Sequence, residues 1–211
     1  MTKKYIDVSE WQRNINYREL LENGIDGAML RCGYTWYGPE KNKVEDALFS
    51  THYEGMNGVG IPVGVYWYSC ATSIYEAEEE AEKVLEIIKD KKIALPVAWD
   101  TENELWQQNL SKGRLTDCAI AFCEKIENAG YYAMIYASLS WFKDKLDLKK
   151  LTAYDKWVAS WGNSFPYIDF GIWQYTSQGH VKGIDGNVDL NKSYKDYETL
   201  IASVGLNNLN R

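Results

Sequence analysis

The sequence predicts an α/β chain folded as a single small barrel, and three observations carry that expectation. Short apolar runs of strand character recur along all 211 residues. Helical segments separate the first five runs, which is the pattern of parallel βαβ units. The remaining runs follow one another with little room for helices. About eight strands in a chain of this size fit a small (β/α) barrel whose last units have lost their helices. A doubly wound open sheet is the structural alternative, but the chain lacks a GxGxxG turn and its last third is poor in helix.

The elements follow in order. Tyr5 to Ser9 is the first strand, with Asp7 between apolar neighbours, and Glu10-Trp11 end it. A short helix is expected over 16–23, capped by Asn16 and stopped by Gly24. Gly27 to Tyr34 is the second strand, a helix is expected from about Val44 to Asn57, and Pro62 to Ser69 is the third strand. Ser73 to Lys89 carries the clearest helical pattern, with Ser73 as cap and Glu76 closing a capping box. Ala81, Val84, Leu85 and Ile88 form its apolar stripe, and Glu78, Glu79, Glu80 and Glu82 read as a solvated face. Leu95 to Glu102 is the fourth strand, followed by a polar loop through Asn109. A helix is expected over 116–128, a fifth strand over 132–138 and a short helical piece over 140–145. Strands over 156–161, 171–176 and 188–191 close the set, with a last helix over 193–203.

Composition removes several function classes. A formal net charge of −7 disfavours nucleic acid and anionic lipid. No apolar run approaches the roughly 20 residues of a membrane span, and no signal peptide is visible at Met1-Thr2-Lys3-Lys4. Cys32, Cys70, Cys118 and Cys123 show no CxxC spacing and lie in apolar segments, so buried free thiols are expected. With only His52 and His180 besides, a zinc site is not expected. Nine Trp and 16 Tyr against 5 Phe are unusual, because Trp and Tyr join a flat apolar face to a polar edge, a combination suited to sugar rings.

In a parallel barrel the chemistry sits at the C-terminal ends of the strands. Those ends carry Asp7, Arg31, Tyr66 or Trp67, Asp100 with Glu102, Tyr136, Trp161, Trp173 or Tyr175, and Asp189. Asp100 and Glu102 are spaced i, i+2, so in an extended strand they emerge on one face and each raises the other's pKa. An acidic cluster ringed by aromatics could bind a hard cation or protonate a glycosidic bond. No phosphate-binding turn accompanies it, and the aromatics favour carbohydrate. Glu102, further out and longer, suits the proton donor, and Asp100 would face the anomeric centre.

Six ordered features resemble the glycoside hydrolase family 25 lysozymes, also called Chalaropsis-type N-acetylmuramidases. They are Asp7-Val8-Ser9, Arg31 with Gly33, Gly64-Val65-Tyr66, Asp100-Thr101-Glu102, Ile135-Tyr136-Ala137-Ser138, and Trp173-Gln174-Tyr175-Thr176 with Val188-Asp189-Leu190-Asn191. The resemblance runs from Tyr5 to about Tyr197. It implies an irregular TIM-like (β/α)5β3 barrel, with residues 1–211 expected as one catalytic domain; many relatives append wall-binding repeats, and none is expected within 1–211. It also implies hydrolysis of the β-1,4 bond between N-acetylmuramic acid and N-acetylglucosamine in bacterial peptidoglycan, without metal or cofactor. By that likeness Glu102 is the general acid and Asp100 its partner, with retention through the substrate's 2-acetamido group. Asp7 and Asp189 match the family's other acids and are assigned positioning and electrostatic tuning. Arg31, Tyr66, Tyr136, Trp161, Trp173 and Tyr175 are expected to contact substrate. Trp67 and Tyr68 stand where many relatives carry a His.

Two alternatives remain. A non-catalytic glycan-binding barrel would have lost the acid at position 102, which is intact. A chitin-type DxE glycosidase with a DxxDxDxE strand is not matched, because Pro96 and Ala98 interrupt that pattern. A monomer acting outside the cell or at the wall is expected, reached by phage-type release or after removal of a leader.

Overall fold

The computed structural model describes residues 2–36, 38–162 and 165–209. Nine strands form one sheet: β1 (Lys3–Val8), β2 (Gly27–Thr35), β3 (Lys43–Glu45), β4 (Val63–Tyr68), β5 (Val97–Asp100), β6 (Ala133–Ser138), β7 (Asp155–Ala159), β8 (Ile172–Gly179) and β9 (Val188–Ser193). Their order is β1-β9-β8-β7-β6-β5-β4-β2-β3, and β1 also pairs with β2. That extra pairing closes eight of them into a barrel and leaves β3 as a spur on β2. Strands β1, β2 and β4 to β8 run parallel in sequence around the wall, while β9 lies antiparallel to both of its neighbours. An antiparallel strand needs no crossover helix, so β8 passes directly to β9, while the parallel step from β7 to β8 is made by an irregular segment without a helix among the described residues.

The helices are α1 (Tyr17–Glu22), α2 (Phe49–Gly58), α3 (Ile74–Ile88), α4 (Lys112–Asn128), α5 (Leu139–Asp144) and α6 (Tyr197–Ser203). Asn16, Ser73, Ser111, Ser138 and Asp196 cap five of them through their side chains. Glu76 does not complete a box with Ser73; its carboxylate accepts instead from the Thr72 amide and hydroxyl.

Three expected boundaries shift. Residues 43–45 are strand rather than the start of a helix, because they pair with Gly33 to Thr35, and α2 begins only at Phe49. Helix α4 starts four residues early, since Ser111 supplies the cap. The last helix starts at Tyr197 because β9 extends to Ser193. One burial expectation also fails: Glu80 is buried rather than part of the solvated face.

Side-chain alternation sorts the core into two layers. Outward residues such as Ile6, Leu30, Val65, Trp67, Val97, Trp99 and Ile135 pack under the helices. Inward residues, among them Tyr5, Met29, Ala98, Met134, Tyr136 and Trp157, fill the barrel together with Tyr197 and Ile201 from α6. Helix α6 therefore plugs the N-terminal mouth. A Cβ at Gly64 would sit 2.6 Å from the Met29 sulfur, and one at Gly171 would overlap the Tyr197 hydroxyl, so both positions need the smallest residue. The open end of the barrel is the opposite one.

Candidate active site

The expected acids converge at that C-terminal mouth. Asp7, Arg31, Tyr66, Tyr136, Asp100, Glu102 and Asp189 all line one cavity of about 220 Å³. Trp157 forms part of its lining, with its ring 4.6 Å from that of Tyr136 and 5.8 Å from that of Tyr66. Asp7 on β1 lies directly opposite Asp189 on β9 in the antiparallel ladder.

Two buried amides orient these acids. Asn191 accepts from Trp157 Nε1 at 2.7 Å, which leaves its Nδ2 to donate to Asp7 Oδ2 at 2.7 Å. Gln174 accepts from the Tyr136 hydroxyl (3.1 Å) and Trp161 Nε1 (3.0 Å). Its Nε2 is thereby turned towards Asp7 Oδ2 (3.1 Å) and Asp189 Oδ2 (3.3 Å). The donors at the far end of each amide fix which way it faces. Neither amide stood among the expected site residues. Their inward parity with Asp189 was the available signal.

The electrostatics are those of crowded carboxylates out of water. Burial, then Asp189, push Glu102 up to about 7, against the Tyr136 hydroxyl pulling the other way. Burial, then Glu102 and Asp7, raise Asp100 well above the usual carboxylate range. Asp7 is raised by burial and by Asp189, and Asp189 is raised by burial. Asp100 is 3% exposed, and its Oδ1 has no hydrogen-bond partner among the described residues. A buried carboxylate oxygen left unpaired costs about 1–3 kcal/mol or more, and such atoms ask for an explanation.

Arg31 is held by three groups. Its Nε donates to Asp46 at 2.7 Å, an Nη donates to Glu10 at 2.8 Å, and its Cζ lies 4.9 Å from the Tyr34 ring centroid. It separates the central cavity from a second one of about 440 Å³, bounded by Glu10, Trp11, Arg13, Tyr34, Trp36 and Tyr68. On the other side Glu102 borders a third cavity, of about 290 Å³, with Ser138, Ser140, Ser160 and Trp161. The three form a groove with the acids at its centre.

Trp161, 57% exposed, stands at this groove as expected. Trp173 and Tyr175 do not. Gln174 faces inward, so its two neighbours face the outside of the barrel, where Trp173 packs beside Phe165 and Tyr175. Lys192 lies over both rings there, at 5.5 and 5.0 Å from their centroids. All four cysteines are buried and free, and no cluster of metal-binding side chains occurs among the described residues.

Closed barrel, carboxylate-lined groove and a carboxylic acid pushed up to about 7 define the class: a glycosidase barrel with its chemistry at the strand ends. The chain belongs to glycosyl hydrolases family 25, whose model matches residues 6–184. The autolytic lysozyme of Clostridium acetobutylicum is 25% identical over 193 residues, covering 90% of this chain and 55% of that protein. Lysozyme M1 of Streptomyces globisporus is 27% identical over 206 residues, covering 89% of this chain and 66% of its own length. The modular autolysin LytC of Streptococcus pneumoniae, solved with a synthetic peptidoglycan ligand, superposes with a TM-score of 0.81 at 26% identity over 92% of this chain and 47% of its own. This chain thus spans only about half to two thirds of the length of these relatives.

Proposed function

We propose that this chain is the catalytic domain of an N-acetylmuramidase that cleaves the β-1,4 bond between N-acetylmuramic acid and N-acetylglucosamine in bacterial peptidoglycan. The observation that carries the reading is the pairing of Glu102, pushed up to about 7, with Asp100, whose Oδ1 is buried and has no partner among the described residues. An acid of that pKa is protonated in a large fraction of molecules at neutral pH, so it can donate to the leaving oxygen. The orphaned oxygen is an acceptor awaiting a donor, and the N–H of the substrate's 2-acetamido group has that chemistry.

The steps balance as follows. The acetamido oxygen attacks the anomeric carbon, the C1–O4 bond breaks, and the Glu102 proton passes to O4. The cyclic oxazolinium ion that forms is positive, and its charge lowers the pKa of Asp100 and stabilises the ionised form beside it. Water then attacks C1 from the face the leaving group vacated, giving its proton to the Glu102 carboxylate. Net retention follows from two inversions. Asp7 and Asp189, oriented by Asn191 and Gln174, keep the field around both acids negative: Asp189 holds Glu102 up and Asp7 holds Asp100 up. Tyr66, Tyr136, Trp157 and Trp161 supply the apolar faces for the sugars. The site of action is the bacterial wall.

Purified protein incubated with bacterial walls is expected to release reducing ends that are N-acetylmuramic acid. Glu102→Gln is expected to lower kcat by about 10³-fold or more with wall binding retained, a loss on the scale of removing a general acid. Glucosamine reducing ends would replace the muramidase reading with a chitinase-like specificity. Unchanged turnover in Glu102→Gln would remove that residue from the chemistry.

A further inference from the structure

The two arms of the groove differ in charge. The arm beside Glu102 is otherwise lined by Ser138, Leu139, Ser140, Ala159, Ser160 and Trp161, so its one ionisable lining residue among those described is the acid itself. The arm beyond Arg31 carries Glu10, Arg13 and Arg31 on an aromatic base of Trp11, Tyr34 and Trp36. Arg31 is spent: Asp46 and Glu10 satisfy it, and Glu10 is in turn committed to it. Arg13 is exposed and makes no hydrogen bond or ion pair with any described residue. It also borders a shallow depression with Glu19 and Asp185, and bonds to neither. Among the described residues Arg13 is therefore the one cation lining the groove that has no anionic partner, in a protein whose formal net charge is −7.

The chain around it is built to hold its place. The turn after β1 is tied by the Ser9 amide donating to Gln12 Oε1 at 3.0 Å and by the Glu10 amide donating to Asp46 Oδ2 at 3.1 Å. Trp11 is presented from this turn with 73% of its surface in water, and Trp36, 44% exposed, bounds the same cavity. Flat, exposed aromatics suit the apolar face of a sugar ring, and a planar guanidinium suits a carboxylate.

Resting on the muramidase reading, we propose that this arm is a binding site for the stem peptide of the glycan strand, with Arg13 pairing a stem carboxylate and Trp11 and Trp36 stacking the adjoining sugar. The arm beside Glu102, with no cation among its described lining residues, takes the bare glycan. The enzyme then distinguishes strands that carry acidic stems from strands that do not, and it does so without involving the reacting atoms.

The test compares unaltered protein with Arg13→Ala on wall-derived glycan strands before and after an amidase has removed the stems. The expected result is that Arg13→Ala lowers the ratio of kcat/KM for stem-bearing over stripped strands about tenfold. The change should lie in KM rather than kcat, since the interaction is equal in ground and transition states. Arg13→Lys should restore part of the ratio, and added salt should erode the preference of the unaltered protein. An unchanged ratio overturns the site. An equal loss on both substrates also overturns the stem assignment, because stripped strands carry no stem carboxylate, and a larger loss on stripped strands would place the anion on the lactyl carboxylate that the amidase frees. Failure of the muramidase reading would look different: no muramic reducing ends from the unaltered protein on either substrate.

Discussion

At the scale of single residues, the site is held in a state the fold does not favour. Glu102 titrates near 4.5 in an unfolded chain and at about 7 in the native one. The native state then binds more protons than the unfolded state between those values, so stability falls as pH rises from about 4.5 through about 7. The cost of keeping this acid ionised at pH 8 is up to roughly 3 kcal/mol. Glu102→Gln is therefore expected to melt higher than the unaltered protein at pH 8, with the gap closing below about pH 4.5. Thermal unfolding at both pH values measures it, and an equal gap at the two would reject the account. The acids themselves were legible in the sequence, because a carboxylate at the end of an apolar strand has few structural uses. Gln174 and Asn191 were not, since a neutral amide carries no such penalty and its role shows only when its partners are placed. Parity was the other blind spot. Trp173 and Tyr175 flank Gln174 in a strand where either register offers a plausible inward face, so aromatic content could not say which residue looks in.

At the scale of elements, helix α3 does more than cover the barrel. Glu80 on its buried face accepts from Thr35 Oγ1 at 2.6 Å, Ser69 Oγ at 2.7 Å, Trp99 Nε1 at 3.0 Å and the Cys70 amide at 3.2 Å. One carboxylate thus fastens the C-terminal ends of β2, β4 and β5, and Trp99 immediately precedes Asp100. Burial raises its pKa while all four donors favour the charged form. Glu80→Ala is expected to destabilise the fold by about 3–5 kcal/mol, since it strands several buried donors at once. Chemical denaturation reads this out, and a loss under about 1 kcal/mol would refute the fastening role. In the sequence Glu80 was hidden among Glu78, Glu79 and Glu82, where only its helical phase beside Ala77, Ala81 and Val84 set it apart. Helix α3 itself was plain, because its apolar stripe and Ser73 cap agree. Strand β3 was not, for three residues with two charges carry no periodicity, and its pairing with β2 is wholly a tertiary fact.

At the scale of the whole molecule, the end opposite the groove is sealed twice. Helix α6 fills the mouth, with the hydroxyls of Tyr132 and Tyr197 both donating to Asp155 Oδ2 at 2.8 Å. Beyond it, Asn207 takes a left-handed φ of 57° and stitches the tail to the barrel floor. Its Nδ2 donates to the carbonyls of Ile93 and Leu95 at 3.0 Å each, and its Oδ1 accepts from the Tyr132 amide at 2.7 Å. Asn207→Ala is expected to cost about 2–4 kcal/mol, combining three lost buried bonds with a disfavoured backbone. Because the tail lies at the far end from the acids, kcat should be unchanged at temperatures where the variant is folded. A drop in kcat without a drop in Tm would contradict that separation. The barrel as a class was readable from strand–helix alternation, whereas its closure was not, because nothing local announces that the last strand lies beside the first.

That closure sets a clock on the protein's own synthesis. Asp7 leaves the ribosome well before Asn191, which holds it through a bond spanning 184 positions. Asp189 arrives at the same late moment, on the strand that shuts the ring. A chain that stops before β9 lacks both residues, and with Asp189 it lacks one of the causes that raise Glu102. The raised acidities of the site therefore depend on ring closure as much as on the strand that carries Asp100 and Glu102.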